Sequence, residues 1–291
     1  MSRYKKVVIK RGILLFLGFL LGGPFISCQG KPLSREGPLL LATTTSLDQI
    51  GLVASLVDAY QKETGISIHS IPLGSGAALE RGKRKDVDLL LVHAPEQEET
   101  FLREGYGSFR APILSSPFII LGPPQDPARI RQEPSFEAAF AALSTVGETS
   151  GKELFVSRGD DSGTHLFEKK LWTAIGRRPV PPWYLETGQG MAETIAIADS
   201  KGLYTLSDKP SWLLYQAHHP EHQLALLYEN PQEGITTYSI VVVRQPQKPQ
   251  REQAALQFAH FLTSPAVQRI ITQYTVQGIP VFRDSQGINK E

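Results

Sequence analysis

The stretch Pro38–Gly65, "PLLLATTTSLDQIGLVASLVDAYQKETG", changes its periodicity once. Its opening apolar run, Leu39 to Ala42, is of the kind found in a strand buried on both faces. From there the apolar residues fall at helical spacing, with a stripe at Ile50, Val53, Leu56, Val57 and Tyr60. Gly65 closes the pattern where a left-handed C-cap belongs. Between strand and helix stand Thr43, Thr44, Thr45 and Ser46. A strand that hands over to a helix through a short polar turn is one unit of an α/β fold.

The unit recurs downstream. "ISIHSIPL" reads as a strand and "GSGAALERG" as the start of a helix; "DVDLLLVH" is a buried strand and "PEQEETFLREG" a helix begun by a proline. "PFIILGP", "ELFVS", "PWYLETG" and "ITTYSIVVVR" are further strands, and "REQAALQFAHFLTSPAVQRIITQY" is two helices broken at Pro265. The alternation predicts an α/β fold with largely parallel strands. Such a chain can pass between two lobes and return, with crossings near "LSSPFIILG" and "TTYSIVVV". The expected division is 39–117 with 232–291 as lobe 1 and 118–231 as lobe 2. There is no internal repeat.

Thirty Lys and Arg stand against 29 Asp and Glu, a formal charge of +1, with no basic stripe interleaved with aromatics. A general nucleic-acid binder is excluded on that basis. Residues 1–27 hold a basic leader, "MSRYKKVVIKR", and an apolar run, "GILLFLGFLLGG", too short to span a bilayer comfortably. "FISC" then ends in Cys28, the single cysteine, so no internal disulfide is available. The arrangement resembles a bacterial lipoprotein signal, in which the Cys is lipidated and anchors the protein to the membrane. Phe25 stands where that family usually has Leu. An ordinary cleaved signal and an uncleaved anchor are the alternatives, and all three imply an extracytoplasmic location. Residues 28–38 read as a polar tether.

Four strand-to-helix turns share one chemistry. Besides Thr43–Ser46 they are Gly74-Ser75-Gly76 in "IPLGSGAALE", Thr187-Gly188-Gln189-Gly190 in "LETGQGMAET", and "SRGDDSGTH" from Ser157 to His165. The last turn delivers Ser162, Gly163 and Thr164 at a helix N-terminus, whose free N–H groups and dipole suit an anion. Each turn alone is explained by ordinary capping. Together they offer many neutral donors and one planar cation, Arg158, which suits a small oxyanion with several oxygens. In open parallel sheets such turns lie at the carboxyl ends of strands, where ligands bind.

"TTTS", "GSGAAL", "DVDLLLVHAPEQEETFLREGYG", "SRGDDSGTHLFEKKLW", "WYLETGQGM" and "YTLSD", in this order from about Leu39 to the last helix, resemble the tungstate-binding proteins of bacterial ABC importers. The resemblance implies a type II periplasmic-binding-protein fold, two α/β lobes holding ligand between them. It implies partnership with the importer's permease and ATPase, no cofactor, and a monomer. It also implies a site of Thr44, Thr45, Ser46, Ser75, Gly76, Arg158, Ser162, Gly163 and Thr164, to which the turn chemistry adds Gly188, Gln189 and Gly190. Ala94 departs from the family, which usually has aspartate there.

Phosphate is the rival ligand. It carries a proton near neutral pH and calls for a carboxylate acceptor, whereas tungstate and molybdate call for donors only. Asp160 and Asp161 are the carboxylates beside the proposed turn, as helix caps or as orienters of Arg158. Tungstate and molybdate are not separable by sequence. An exported hydrolase is a remote alternative, since no "GxSxG" elbow occurs and His165 has no evident nucleophile. "HHPEH" (His218, His219, His222) lacks the spacing of a metal site, "GETSGKE" is not a P-loop, and Trp172, Trp183 and Trp212 read as core.

Overall fold

The computed structural model describes residues 37–283, so the leader, most of the tether and Cys28 lie outside the described residues. Strand β1 (Leu39–Thr44) leads into α1 (Thr45–Gln49) and α2 (Leu52–Thr64). Here the expected single helix is two, because Gly51 adopts a left-handed conformation, φ 79°. Only glycine takes that geometry without strain. Gly65 is the left-handed C-cap, with its N–H on the Gln61 carbonyl at 2.8 Å.

The chain continues through β2 (Ile68–Leu73), α3 (Ser75–Lys83), β3 (Leu89–Val92), α4 (Pro95–Arg103) and β4 (Gly107–Gly122). Next come α5 (Phe136–Ser150), β5 (Phe155–Ser157), α6 (Gly163–Ala174), β6 (Tyr184–Glu186), α7 (Met191–Lys201) and β7 (Tyr204–Asp208). The last elements are α8 (Lys209–His218), β8 (Ala225–Tyr228), β9 (Ile235–Val243), α9 (Pro249–Thr263), α10 (Pro265–Thr272) and the pair β10 (Thr275–Val276) and β11 (Ile279–Pro280). α9 and α10 part at Ser264, which caps α10 by accepting from Val267 N, just before Pro265.

The main sheet runs β2-β1-β3-β9-β4-β7-β5-β6, with β8 on β4. It is parallel at both flanks, β2-β1-β3 and β7-β5-β6, and antiparallel wherever β9 or β4 takes part. β4 is 16 residues long, although only "PFIILGP" reads as strand in the sequence. Its two prolines hide the rest, because Pro supplies no ladder N–H. The register slips between Pro112 and Leu114, which lets the strand continue past the first. Its early part pairs with β9 as far as Pro117 opposite Ile235, and its later part pairs with β7 and β8.

Side chains alternate across this sheet and build four apolar clusters. Leu39, Leu41, Leu89, Leu91, Ile240 and Val242 face α2 and α9, while Ala42, Leu90, Val92, Val241 and Val243 face α3 and α4. On the other half, Phe118, Ile120, Phe155 and Tyr204 face α5 and α6, while Ile119, Leu121 and Val156 face α7 and α8. Each half is thus a sheet with helices on both faces, as strands apolar on both sides require. Trp172 and Trp183 are buried in one cluster of the second half and Trp212 in the other.

Candidate ligand-binding site

The β1–α1 turn is held by its own hydroxyls. Thr44 caps α1 by accepting from Leu47 N at 3.4 Å, and its Oγ1 lies 3.3 Å from Ser46 Oγ. Ser46 in turn is 3.5 Å from the hydroxyl of Tyr238 on β9, and Thr45 is the first residue of α1. Ser75 opens α3, with Gly76 beside it; Ser75 Oγ accepts from His93 N at 3.4 Å. His93 ends the run of β3, and its ring stacks on Tyr238 at 4.6 Å between centroids. Its Nδ1 lies 3.0 Å from Thr236 Oγ1.

From the other half comes the turn after β5. Ser162 caps α6, its Oγ accepting from His165 N at 3.4 Å, and Gly163 and Thr164 follow as the first helical residues. A β-carbon built on Gly163 would stand 2.2 Å from His93 Cε1, so the imidazole fits against this helix start only because residue 163 is glycine. Burial, reinforced by the Arg158 charge, holds the His93 ring down at about 4, which leaves it neutral at neutral pH.

Arg158 is buried, and its guanidinium donates to Asp160 Oδ2 at 2.5 Å. Asp160 Oδ1 accepts from Ser162 N at 3.2 Å, so this carboxylate both orients the arginine and ties off the turn. Burial alone would raise the Asp160 carboxyl; the bonds from Ser162 and the nearby Arg158 outweigh it and leave the group lowered. Asp161 turns away. It bonds Lys169 at 2.6 Å on the surface, and that lysine lowers its carboxyl. Arg158 Nε is buried with no hydrogen-bond partner among the described residues. An orphaned buried donor costs about 1–3 kcal/mol, so its retention points to something it meets.

The fourth turn backs the arginine. Gly188 N donates to the Arg158 carbonyl at 2.8 Å, Thr187 Oγ1 donates to it at 3.2 Å, and Gln189 N donates to Thr187 Oγ1 at 3.1 Å. Gly188 and Gln189 therefore spend their N–H groups inside the protein, while Gly190 is the N-cap of α7. Behind the turn, Glu168 is buried among Ser157 Oγ (2.8 Å), Tyr184 OH (2.7 Å) and Trp172 Nε1 (3.0 Å).

Three further residues belong to this assembly that the sequence did not mark. His93 ends one apolar run and Tyr238 stands just before another, and both read there as strand. Asp208, at the end of β7, is a buried carboxylate in electrostatic reach of Arg158. Asp160 and Asp161 are therefore not the only carboxylates near the turn. Both Asp208 oxygens accept from Ser211, its N at 2.9 Å and its Oγ at 2.8 Å. Burial raises the Asp208 carboxyl, and the Ser211 bonds counter it. Ala94 begins α4 with no side-chain cap, and its N–H is taken by Glu98 Oε1 at 2.8 Å instead. His165 meets no nucleophile: its Nδ1 accepts from Asp161 N at 3.0 Å. The ring of His222 contacts Gln216 and the Leu224 carbonyl, and His219 stacks on Tyr215.

The assembly is thus a set of neutral hydrogen-bonding groups and one arginine, backed by Asp160 and Asp208, gathered at the ends of β1, β2, β3 and β5. Residues 31–266 match the family model of the PBP superfamily domain. A protein of Peptoclostridium acidaminophilum named as the tungstate-binding protein TupA is 34% identical over 251 residues, covering 85% of each chain. The solved tungstate-binding protein TupA from Desulfovibrio alaskensis G20 is 37% identical, with a TM-score of 0.72 over 84% of this chain and 98% of that one. The structure described as the tungstate ABC transporter from Geobacter sulfurreducens is 33% identical, also at 0.72, over 82% of this chain and 99% of that one. The chain belongs to the TupA family of tungstate-binding proteins within the PBP superfamily, a family of solute-binding proteins rather than enzymes.

Proposed function

We propose that this chain captures tungstate, with molybdate as a second ligand, outside the cytoplasm and delivers it to an ABC importer. In this reading, residues 39–117 and 232–291 form lobe 1 and residues 118–231 form lobe 2. β4 and β9 cross between them, and the protein works as a monomer on the importer's permease and ATPase. Residues 1–27 direct export, and lipidated Cys28 anchors the protein to the membrane. Among the described residues, no helix is long and apolar enough to cross a membrane. The ligand contacts are Thr44, Thr45, Ser46, Ser75, Gly76, Arg158, Ser162, Gly163 and Thr164, with the Gly188–Gly190 turn holding Arg158 from behind.

The observation that carries the proposal is the meeting of the β1, β2 and β5 turns around His93 and Tyr238, through Ser46, Ser75 and Gly163, beside the unpartnered Arg158 Nε. Carboxylate chemistry favours tungstate over phosphate. Asp160 is committed to Arg158 and Ser162, Asp161 to Lys169, and Asp208 to Ser211. Each of the three already accepts hydrogen bonds from the protein rather than standing ready for the proton of a hydrogen phosphate.

Charge-assisted hydrogen bonds contribute about 1.5–3 kcal/mol each, and nanomolar affinity corresponds to about 12 kcal/mol. Several such bonds reach that figure after desolvation of the dianion, so the expected tungstate Kd is nanomolar or tighter. Isothermal titration against tungstate, molybdate, sulfate and phosphate tests the assignment. Tight phosphate binding with no heat from tungstate would overturn it in favour of a phosphate-binding protein.

A further inference from the structure

His93 is held on every side but one. Its backbone N–H goes to Ser75, one ring face lies on Tyr238, and Nδ1 meets Thr236 Oγ1. Gly163 of α6 closes against it, with room for no β-carbon between them. His93 is 8% exposed, and its Nε2 makes no hydrogen bond among the described residues and is not among the sealed, unpartnered buried atoms. A histidine whose second nitrogen stays open beside a helix start and an arginine is placed to meet a ligand there, which a phenyl ring filling the same space would not be.

We propose that His93 is a ligand-contacting residue that donates a neutral Nε2–H bond to the bound oxyanion and so helps set which oxyanion is accepted. The proposal rests on the oxyanion-binding reading given above. Thr236 decides the tautomer: when its hydroxyl donates to Nδ1, the ring proton resides on Nε2, where it is available as a donor. A neutral donor favours an oxyanion that brings no proton of its own. A second full positive charge beside Arg158 would instead attract any anion, with less discrimination. His93 also stands on lobe 1 and Gly163 on lobe 2, so the donor is fully seated only when the two are together.

The test uses the wild-type protein and two variants. In the wild type labelled with ¹⁵N-histidine, tungstate addition is expected to move the His93 Nε2 resonance and leave Nδ1 nearly in place. His93→Phe keeps the stack and the volume but has no donor. It should weaken tungstate binding by about 10- to 100-fold, the loss of one charge-assisted bond, while the melting temperature without ligand stays close to wild type. His93→Gln places an amide nitrogen near the Nε2 position and should recover part of that loss. Wild-type affinity in His93→Phe, or an Nε2 resonance that ignores saturating tungstate, would overturn the proposal and leave His93 as packing. If the wild type binds no oxyanion in titration, the functional reading fails first, and the two failures are distinguishable.

Discussion

Lys170 of α6 donates to Glu96 of α4 at 2.6 Å, although the two helices pack on different halves of the sheet. Both side chains are largely exposed, so the pair is screened by salt and is individually weak. It nevertheless ties α4, which follows His93, to α6, which begins at Gly163. Lys170→Met should therefore lower tungstate affinity by less than about fivefold. It should also flatten the dependence of affinity on ionic strength. Titrations at low and high salt on both proteins check this, and an unchanged salt slope would count against any role of the pair in ligand binding.

Arg158 gives one end of its guanidinium to Asp160, while its buried Nε meets no partner among the described residues. A lysine has one point charge and cannot serve both directions. Arg158→Lys is expected to weaken tungstate at least about tenfold and to narrow its margin over sulfate. Asp161→Asn is the contrast, since that side chain faces Lys169 and solvent. It should leave affinity within about twofold, and a large loss would place a carboxylate in the site and revive phosphate.

Burial pushes the Glu168 carboxyl from its ordinary 4.5 up to about 7, against the opposing bonds from Tyr184, Ser157 and Trp172. A carboxyl with a raised folded-state value holds its proton more tightly when folded. Its contribution to stability is complete below about pH 4.5 and is lost as pH rises through about 7. At most about 3 kcal/mol is involved. Glu168→Gln removes this dependence while keeping a hydrogen-bonding amide in place. The variant should gain stability relative to wild type as pH goes from 5 to about 7.5, read by urea denaturation at each pH. A constant difference across that window would show that the carboxyl does not titrate there.

At the opposite end of the strands, Arg251 bonds Asp88 through Nε at 2.9 Å and through a terminal nitrogen at 2.5 Å, and reaches the Pro38 carbonyl at 2.9 Å. Asp88 also accepts from Leu40 N at 2.8 Å. Arg251→Met leaves that buried carboxylate without its cation and should destabilise the fold by about 3–5 kcal/mol. Tungstate affinity of the folded fraction should not change, because the pair joins the amino ends of β1 and β3, away from the binding turns. Denaturation and titration on the same sample separate the two effects.

The sequence showed what depends on local chemistry. Ser162 caps a helix, Pro95 starts one, the chain breaks at Pro265, and Gly65 ends a helix, each by a rule that spans a few residues. The four polar turns were legible for the same reason. The length of β4 was not, because its prolines mimic loop and only pairing with β9 makes the segment a strand. Nor was the antiparallel join of β3 to β9, which brings together residues some 150 positions apart in the chain. His93 and Tyr238 were missed because a polar ring at the end of an apolar run carries no period of its own. Only the stack between them, and the closeness of Gly163, distinguishes them from core.

The placement of Trp172, Trp183 and Trp212 has an optical consequence. All three tryptophans of the chain lie in the clusters around β4's later part, β5 and β7, while the half built on β1, β3 and the early part of β4 contains tyrosines such as Tyr60, Tyr106 and Tyr274. Indole emission from Trp172 and Trp183 therefore reports on the second half, while Trp212 shares α8 with Leu213, which is buried in the first half's core. Loosening of the first half would register in the emission of Tyr60 and Tyr274 more than in that of Trp172 and Trp183.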